Sequence, residues 1–449
     1  MRDTRVRRRG AVSRIRVSET EELAEIRSLA RPLATSDDLE PLVERLRETR
    51  YVCIGEASHG NHEYYAWRCE LSRRLIEHHG FSFIGVEGDW PDCWRLNRWV
   101  RGLADQSLDA HEVLADFERW PTWMWANEEV AHFLDWLRSF NSTRSAGEQV
   151  GFYGLDVYSL WDSLREIFVW LEHNAPDAVP EAMRAWRCFA PYGEDPQEYA
   201  RSTRLVPETC EQDVVALLVA VRRRAAGHLP GDEEAFDATQ NAEVVAGAEN
   251  YYRAMVRSDR QSWNIRDHHM ADTIDRLSAH VGPQAKALVW EHNTHVGDAR
   301  ATDMASSGLV NVGQIMRERH GPERVALVGF AGYRGGVIAA AGWGAPESVL
   351  VVPEAGPGSH EELLHRALGG PALLLFPADR SGPWLSGWRG HRAIGVVYRP
   401  SRELGNYVPT MMGGRYDALV WLEDVSPLTP LHHELPPREA EYETEPTGL

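Results

Sequence analysis

The sequence predicts an α/β protein: a mostly parallel central sheet flanked by helices, with an inserted α-helical subdomain. Three observations predict it. Short apolar runs alternate with helical stripes as far as about residue 158, strand signals then nearly vanish to about residue 283, and apolar runs return up to residue 431. Such alternation is the pattern of strands covered on both faces by helices.

Taken in order, Ser36 and Asp37 are cap candidates ahead of Leu39, Leu42, Val43 and Leu46, which recur at helical spacing, and Tyr51 to Ile54 is a buried-strand run. A helix from His62 to His79 and an apolar run at 81–86 complete a βαβ unit. Helices are expected near 91–103, 108–117 and 127–140, before a strand at 150–155. The helix-only stretch includes 207–226, 233–256 and 263–281, with Met270, Ile274, Leu277 and Val281 on one face. Strand-like runs then recur at 287–290, 325–328, 348–352, 372–376, 393–397 and 419–422, with a helix at 361–368. The expected organisation is a flexible leader and first helix (1–34), the first part of the α/β core (35–158), a helical insertion (159–283), the second part of the core (284–431) and a disordered tail (432–449).

Charge narrows the function. The 449 residues carry 48 Lys and Arg against 67 Asp and Glu, a net −19, which opposes a broad grip on nucleic acid or an anionic membrane surface. No apolar run reaches the ~18 residues of a membrane span. The Arg-rich first residues precede no apolar segment, so a cytoplasmic protein is expected. Five cysteines without a CxxC pair read as buried free thiols rather than disulfides. Lys286 is the only lysine, which removes P-loop and Schiff-base chemistry everywhere else.

Two loops carry the chemistry. Ile54-Gly55-Glu56-Ala57-Ser58-His59-Gly60 and Trp290-Glu291-His292-Asn293-Thr294-His295 each follow an apolar strand, and ligands in open α/β sheets bind outside the carboxyl ends of strands. Aligned on their strands, Glu56 falls over His292 and His59 over His295, a pattern of internal duplication. Arg68 lies on the apolar stripe of Tyr64, Trp67, Leu71 and Leu75, so it points inward and needs a carboxylate, either Glu56 or Glu87 at the end of the run FSFIGVE. A purely structural ion pair would satisfy the same rule. Ser58 adjoins a histidine, but the local pattern is not GxSxG, which weakens a serine-nucleophile reading. Two Glu and three His are also competent zinc ligands, although Arg68 would set a cation beside a cation and no HExxH occurs. Trp120, Trp123 and Trp125 are candidates to line a pocket for a large apolar ligand, with core packing the competing role, and Asp156 ends the GFYGLD strand at the same edge. His268, His269, His432 and His433 read as helix-surface and tail histidines, and AGYRGG at 331–336 matches no nucleotide motif.

Together IGEASHG, Arg68, GFSFIGVEGDW, GFYGLD, WNIRDHHMAD, VWEHNTHVGDAR and YDALVWLEDVSPLTPL resemble the erythromycin esterase family, which includes macrolide-resistance esterases and succinoglycan-biosynthesis proteins; the likeness covers roughly residues 51–431. The resemblance implies an α/β core with a helical domain, a hydrolytic site at Glu56, His59, Arg68, Glu87, His292 and His295, no cofactor, and no obligatory metal. The expected reaction is hydrolysis of a small-molecule ester or macrolactone, with His59 as base, Glu56 holding the attacking water or setting the His59 tautomer, Arg68 or His292 facing the oxyanion, Glu87 anchoring Arg68 and His295 supporting the site rather than acting as base. A metal-dependent hydrolase on another bond, and a non-catalytic ligand-binding or biosynthetic accessory protein, are the competing classes.

Overall fold

In a computed structural model, the described residues are 18–432, apart from 106, 194–195, 204–208, 230 and 257–258. The strands are β1 (Ala30–Pro32), β2 (Tyr51–Ile54), β3 (Phe83–Val86), β4 (Gly151–Gly154), β5 (Ala287–Trp290), β6 (Val325–Ala340), β7 (Glu347–Val352), β8 (Ala372–Leu375), β9 (Trp388–Arg392), β10 (Tyr407–Met411) and β11 (Ala418–Val425). Nine form one sheet in the order β1-β8-β11-β6-β2-β5-β3-β4, with β7 paired to β6; β9 and β10 make a separate hairpin. The run β11-β6-β2-β5-β3-β4 is parallel throughout, and β1, β8 and β7 add antiparallel pairs. β2 to β5 are four-residue strands in which every residue is buried, as expected when helices cover both faces.

Alternate residues divide between two cores. Val52, Ile54, Ile84, Val86, Leu288 and Trp290 face one, against the His62–His79 helix; Tyr51, Cys53, Phe83, Ala287 and Val289 face the other, with Met270, Ile274 and Leu277 of the Asp259–Val281 helix. Between Leu160 and Val281 the described residues form helices and turns with a third apolar cluster. No helix among the described residues is long and apolar enough to cross a membrane.

The structure departs from the sequence reading in places. The first 34 residues contribute a strand, β1, paired to β8; residues 1–17 of the expected leader and 433–449 of the expected tail, His433 included, lie outside the described residues. β6 is sixteen residues long because pairing with β7 and β11 carries it through AGYRGG. Within it Gly335 has φ +144°, and a Cβ there would meet the Val425 carbonyl oxygen at 1.8 Å. Residues 393–397 form isolated bridges, Ile394 to Ser58 and Val397 to Ala340, instead of a strand. Cys188 and Cys210 form a disulfide, against the expectation of free thiols, because the intervening helical segments bring together cysteines 22 residues apart. Cys53, Cys69 and Cys93 are free and buried.

Candidate active site

Neighbouring parallel strands β2, β5, β3 and β4 end side by side, and the chemistry sits on the loops that leave them. Register pairs Ile54 with Trp290 and Val86 with Trp290, so Gly55, Glu291 and Glu87 occupy one level and Glu56 and His292 the next. The β2 loop is pinned from several directions. Asn293 N donates to the Glu56 carbonyl at 2.8 Å, Ile394 N to Ala57 O at 2.9 Å, and Tyr65 hydroxyl to His59 O at 3.2 Å. Ser58 hydroxyl bonds Asn61 rather than a histidine.

His59 Nδ1 lies 2.8 Å from Glu56 Oε1, with His59 3 % and Glu56 1 % exposed. A carboxylate only accepts, so Nδ1 carries a proton. The other oxygen of Glu56 is 3.1 Å from Arg68 Nη1. Arg68 is fully buried, its guanidinium 4.2 Å from the ring centroid of Tyr65 and 4.9 Å from that of Trp290. Its charge is thus held between a carboxylate and aromatic faces, which accept a cation.

Glu87 does not anchor Arg68, as the sequence reading expected; it binds Arg266. Arg266 Nη2 is 2.8 Å from Glu87 Oε1 and 2.7 Å from Asp156 Oδ2, while its Nε donates to Asp156 Oδ1 at 2.9 Å. Glu87 Oε2 accepts the His292 backbone N–H at 2.8 Å. Burial would raise the Glu87 pKa, but His295, Arg266 and His59 outweigh it and hold the carboxyl ionised.

His295 is braced on both sides. Nδ1 is 3.0 Å from Asp267, Nε2 is 3.5 Å from Glu87, and the ring stacks on Trp263 at 4.6 Å. Burial opposes its charge, but Asp267 and Glu87 overcome that and raise its pKa to about 9, while its Nε2 also lies 3.2 Å from Arg266 Nη1. His292 is the opposite case. Burial, and then the neighbouring His59 ring 4.9 Å away, push its pKa well down. Its Nδ1 accepts from Thr294 N at 3.3 Å and lies 2.8 Å from the Thr294 hydroxyl, which leaves the hydrogen on Nε2.

Of these groups His59, Glu87, Asp156 and Arg266 line a cleft of about 40 Å³, together with Asp89, Arg119 and Tyr158, whereas Glu56, Arg68, His292 and His295 are not in its wall. Trp125 also lines it, and its indole N–H donates to Glu87 O at 3.0 Å. Trp120 and Trp123 are not in the wall: Trp123 is core, 1 % exposed, and Trp120 packs 4.7 Å from Trp343, which is in the wall. His269, expected on a helix surface, is 8 % exposed, and burial lowers its pKa to about 3. His432 is half-buried.

Several site residues escaped the sequence reading. Arg266 lies four before Met270 and eight before Ile274, on the apolar stripe of its helix, so the rule that singled out Arg68 applies equally to it. Asp89 and Arg119 form an ion pair at the cleft, with Arg119 Nη2 3.2 Å from Asp89 Oδ1. Glu291 is fully buried with neither carboxyl oxygen hydrogen-bonded among the described residues, and burial raises its pKa well above the carboxylate range. No local pattern marks Asp89 and Arg119 as different from surface charges, whereas Glu291 directly follows the apolar run of β5 as Glu87 follows that of β3. Among the described residues no group of three or more His, Cys, Asp or Glu is arranged to hold a metal ion.

The family model for erythromycin esterase matches residues 76–425. The chain belongs to the erythromycin esterase family. Among curated members and relatives it is 20% identical over 414 residues to a putative hydrolase of Bacillus subtilis, covering 88% of each chain. It is 24% identical to erythromycin esterase type I of Escherichia coli over 303 residues, 63% of this chain and 70% of that one. Solved structures share the fold: a Bacillus cereus protein (TM-score 0.76, 19% identity, 93% of this chain and 100% of that one), a succinoglycan biosynthesis protein (0.72, 21%, 91% and 97%) and an erythromycin esterase mutant in its open conformation (0.65, 18%, 90% and 97%). Family membership suggests ester hydrolase activity.

Proposed function

We propose that the protein is a hydrolase that cleaves a small-molecule carboxylic ester or lactone with water activated by His59, without an obligatory metal. The observation that carries this reading is the Glu56–His59 pair at the cleft, 2.8 Å apart with Glu56 itself held by Arg68. Glu56 fixes the tautomer and orientation of the imidazole, so Nε2 is the nitrogen that takes a proton from water. The resulting hydroxide attacks the carbonyl carbon. Charge on the carbonyl oxygen is met by the Nε2–H of neutral His292 and the guanidinium of Arg266, contacts of a kind worth about 3 to 4 kcal/mol in oxyanion holes. Collapse of the tetrahedral intermediate expels the alkoxide, which takes the proton back from His59. Arg68 acts by holding Glu56, since aromatic rings cover it. Glu87, His295, Asp156 and Asp267 hold Arg266 and the His292 backbone in place.

A cleft of about 40 Å³ has room for a few waters, each needing roughly 10–15 Å³. A macrolactone therefore enters only after walls such as Trp343 and Phe117 separate. The description of one solved relative as an open conformation supports such a step. The test is mass spectrometry of macrolactones and simple esters incubated with purified protein, read for gain of one water. Hydrolysis that survives chelator and disappears in His59→Ala supports the reading; turnover retained in that variant would overturn it.

A further inference from the structure

A second cavity, of about 520 Å³, lies between the helices Trp90–Val100, Leu160–Asn174 and Glu233–Met255. Its volume falls within the roughly 300–1,000 Å³ usual for small-molecule sites. The indoles of Trp94 and Trp170 line it, each 7 % exposed, and Val169, 55 % exposed, stands at its rim. Trp94 is held by stacking on Trp90, with centroids 5.5 Å apart and planes inclined by 21°. Trp90 in turn donates its indole N–H to Asp237 Oδ1 at 2.7 Å. The platform is therefore built before any ligand arrives. The indole N–H of Trp170 is buried and donates to no group among the described residues.

Around these rings stand Arg95 and Arg98 from the first helix, Glu166 and Asn174 from the second, and Glu234 and Asp237 from the third. Two guanidiniums face two exposed carboxylates. Asp237, whose pKa burial raises to about 7, is about half ionised at neutral pH, and His173 completes the wall. A phosphate would need a cationic surplus, and the wall offers none, because Arg95 is also paired with Asp92. Flat apolar rings beside closely mixed donors and acceptors match a ligand with C–H faces and hydroxyl edges.

We propose that this cavity is a binding site for a neutral saccharide, one pyranose ring lying on the indoles with its hydroxyls directed to Arg98, Asn174 and Glu234. The site is separate from the cleft at the strand ends. Arg95, which lines the cavity, pairs with Asp92 in the wall of the cleft.

The full chain would be titrated with methyl β-glucopyranoside, methyl α-rhamnopyranoside and maltotriose, with inorganic phosphate and phenol as controls. Binding is followed by tryptophan fluorescence and saturation-transfer NMR. The expected result is saturable binding of at least one saccharide, weakened about tenfold in Trp170→Ala by loss of one stacking face and unchanged in His59→Ala. Arg98→Ala, a half-buried position that leaves the aromatic packing alone, should also weaken it and guards against a folding defect in the tryptophan variant. No saturable saccharide signal, saccharide binding equal to wild type in both cavity variants, or saturation by phosphate or phenol alone would overturn the proposal.

Discussion

Arg266 joins Glu87 to Asp156, reaching Oε1 of Glu87 at 2.8 Å while gripping both oxygens of Asp156. All three side chains are at least nine-tenths buried, and they tie the ends of β3 and β4 to the Asp259–Val281 helix. Removing the cation leaves two carboxylates facing each other out of water. Arg266→Met should therefore destabilise the fold by about 3–5 kcal/mol, read by urea unfolding. Adding Asp156→Asn should recover part of that loss; a double variant no better than the single one would show that Asp156 and Arg266 do not act as a unit.

Glu56→Gln tests the orienting role of the carboxylate at modest cost in shape. An amide can accept from His59 Nδ1–H, but it no longer stabilises an imidazolium and leaves Arg68 without its counter-charge. Expected is a fall in kcat of about 10² to 10⁴, the range of general-base contributions, with KM little changed. A loss confined to KM would place Glu56 in substrate binding instead.

How far the sequence revealed this arrangement depends on which physical rule applied. Strand ends and helical stripes were legible because strands covered on both faces read as continuous apolar runs while buried helix faces repeat every 3.6 residues, and these placed Glu56, His59, Glu87, His292 and His295 at one edge and turned Arg68 inward. Partner choice was not legible. Glu87 could satisfy either arginine, and only the position of the Asp259–Val281 helix against β5 decides for Arg266. Trp123 and Trp125 were equivalent by sequence, yet the turn at Thr122–Met124 buries one in the core and presents the other to the cleft. The disulfide was hidden for the same reason: chain separation says nothing of helix packing.

His295 should make stability depend on pH in the alkaline direction. Its folded pKa is about 9, above the ordinary ~6.5 of an unfolded histidine, so the folded state holds a proton that the unfolded state releases. The stabilisation is full below pH ~6.5 and is lost as pH rises toward 9, in total on the order of 3 kcal/mol. The difference in unfolding free energy between wild type and His295→Gln should shrink across that window. A constant difference would mean that His295 is neutral in the folded protein.

Reduction of the Cys188–Cys210 bond should weaken the helical region between Leu160 and Val281. The bond closes a 22-residue separation, for which loop entropy predicts roughly 3 kcal/mol. Unfolding with and without reductant, compared with Cys188→Ser, measures it, and reductant should have no further effect on the variant.

Gly60 offers the sharpest test of the β2 loop. A Cβ there would lie 1.8 Å from the Ile338 carbonyl oxygen, a backbone atom that cannot swing aside, and the Gly60 carbonyl already accepts from Ile338 N at 2.9 Å and Leu428 N at 3.0 Å. Gly60→Ala must therefore move the loop away from β6 and carry the adjacent His59 with it. Displacements near 1 Å at a catalytic group can cost about a hundredfold in rate. The same step also strains two buried hydrogen bonds, each worth about 1 kcal/mol. Turnover of an established substrate should thus fall about a hundredfold in a variant destabilised by only about 1–3 kcal/mol. A variant that loses stability to that extent but keeps full activity would separate His59 from the loop geometry on which the proposed mechanism depends.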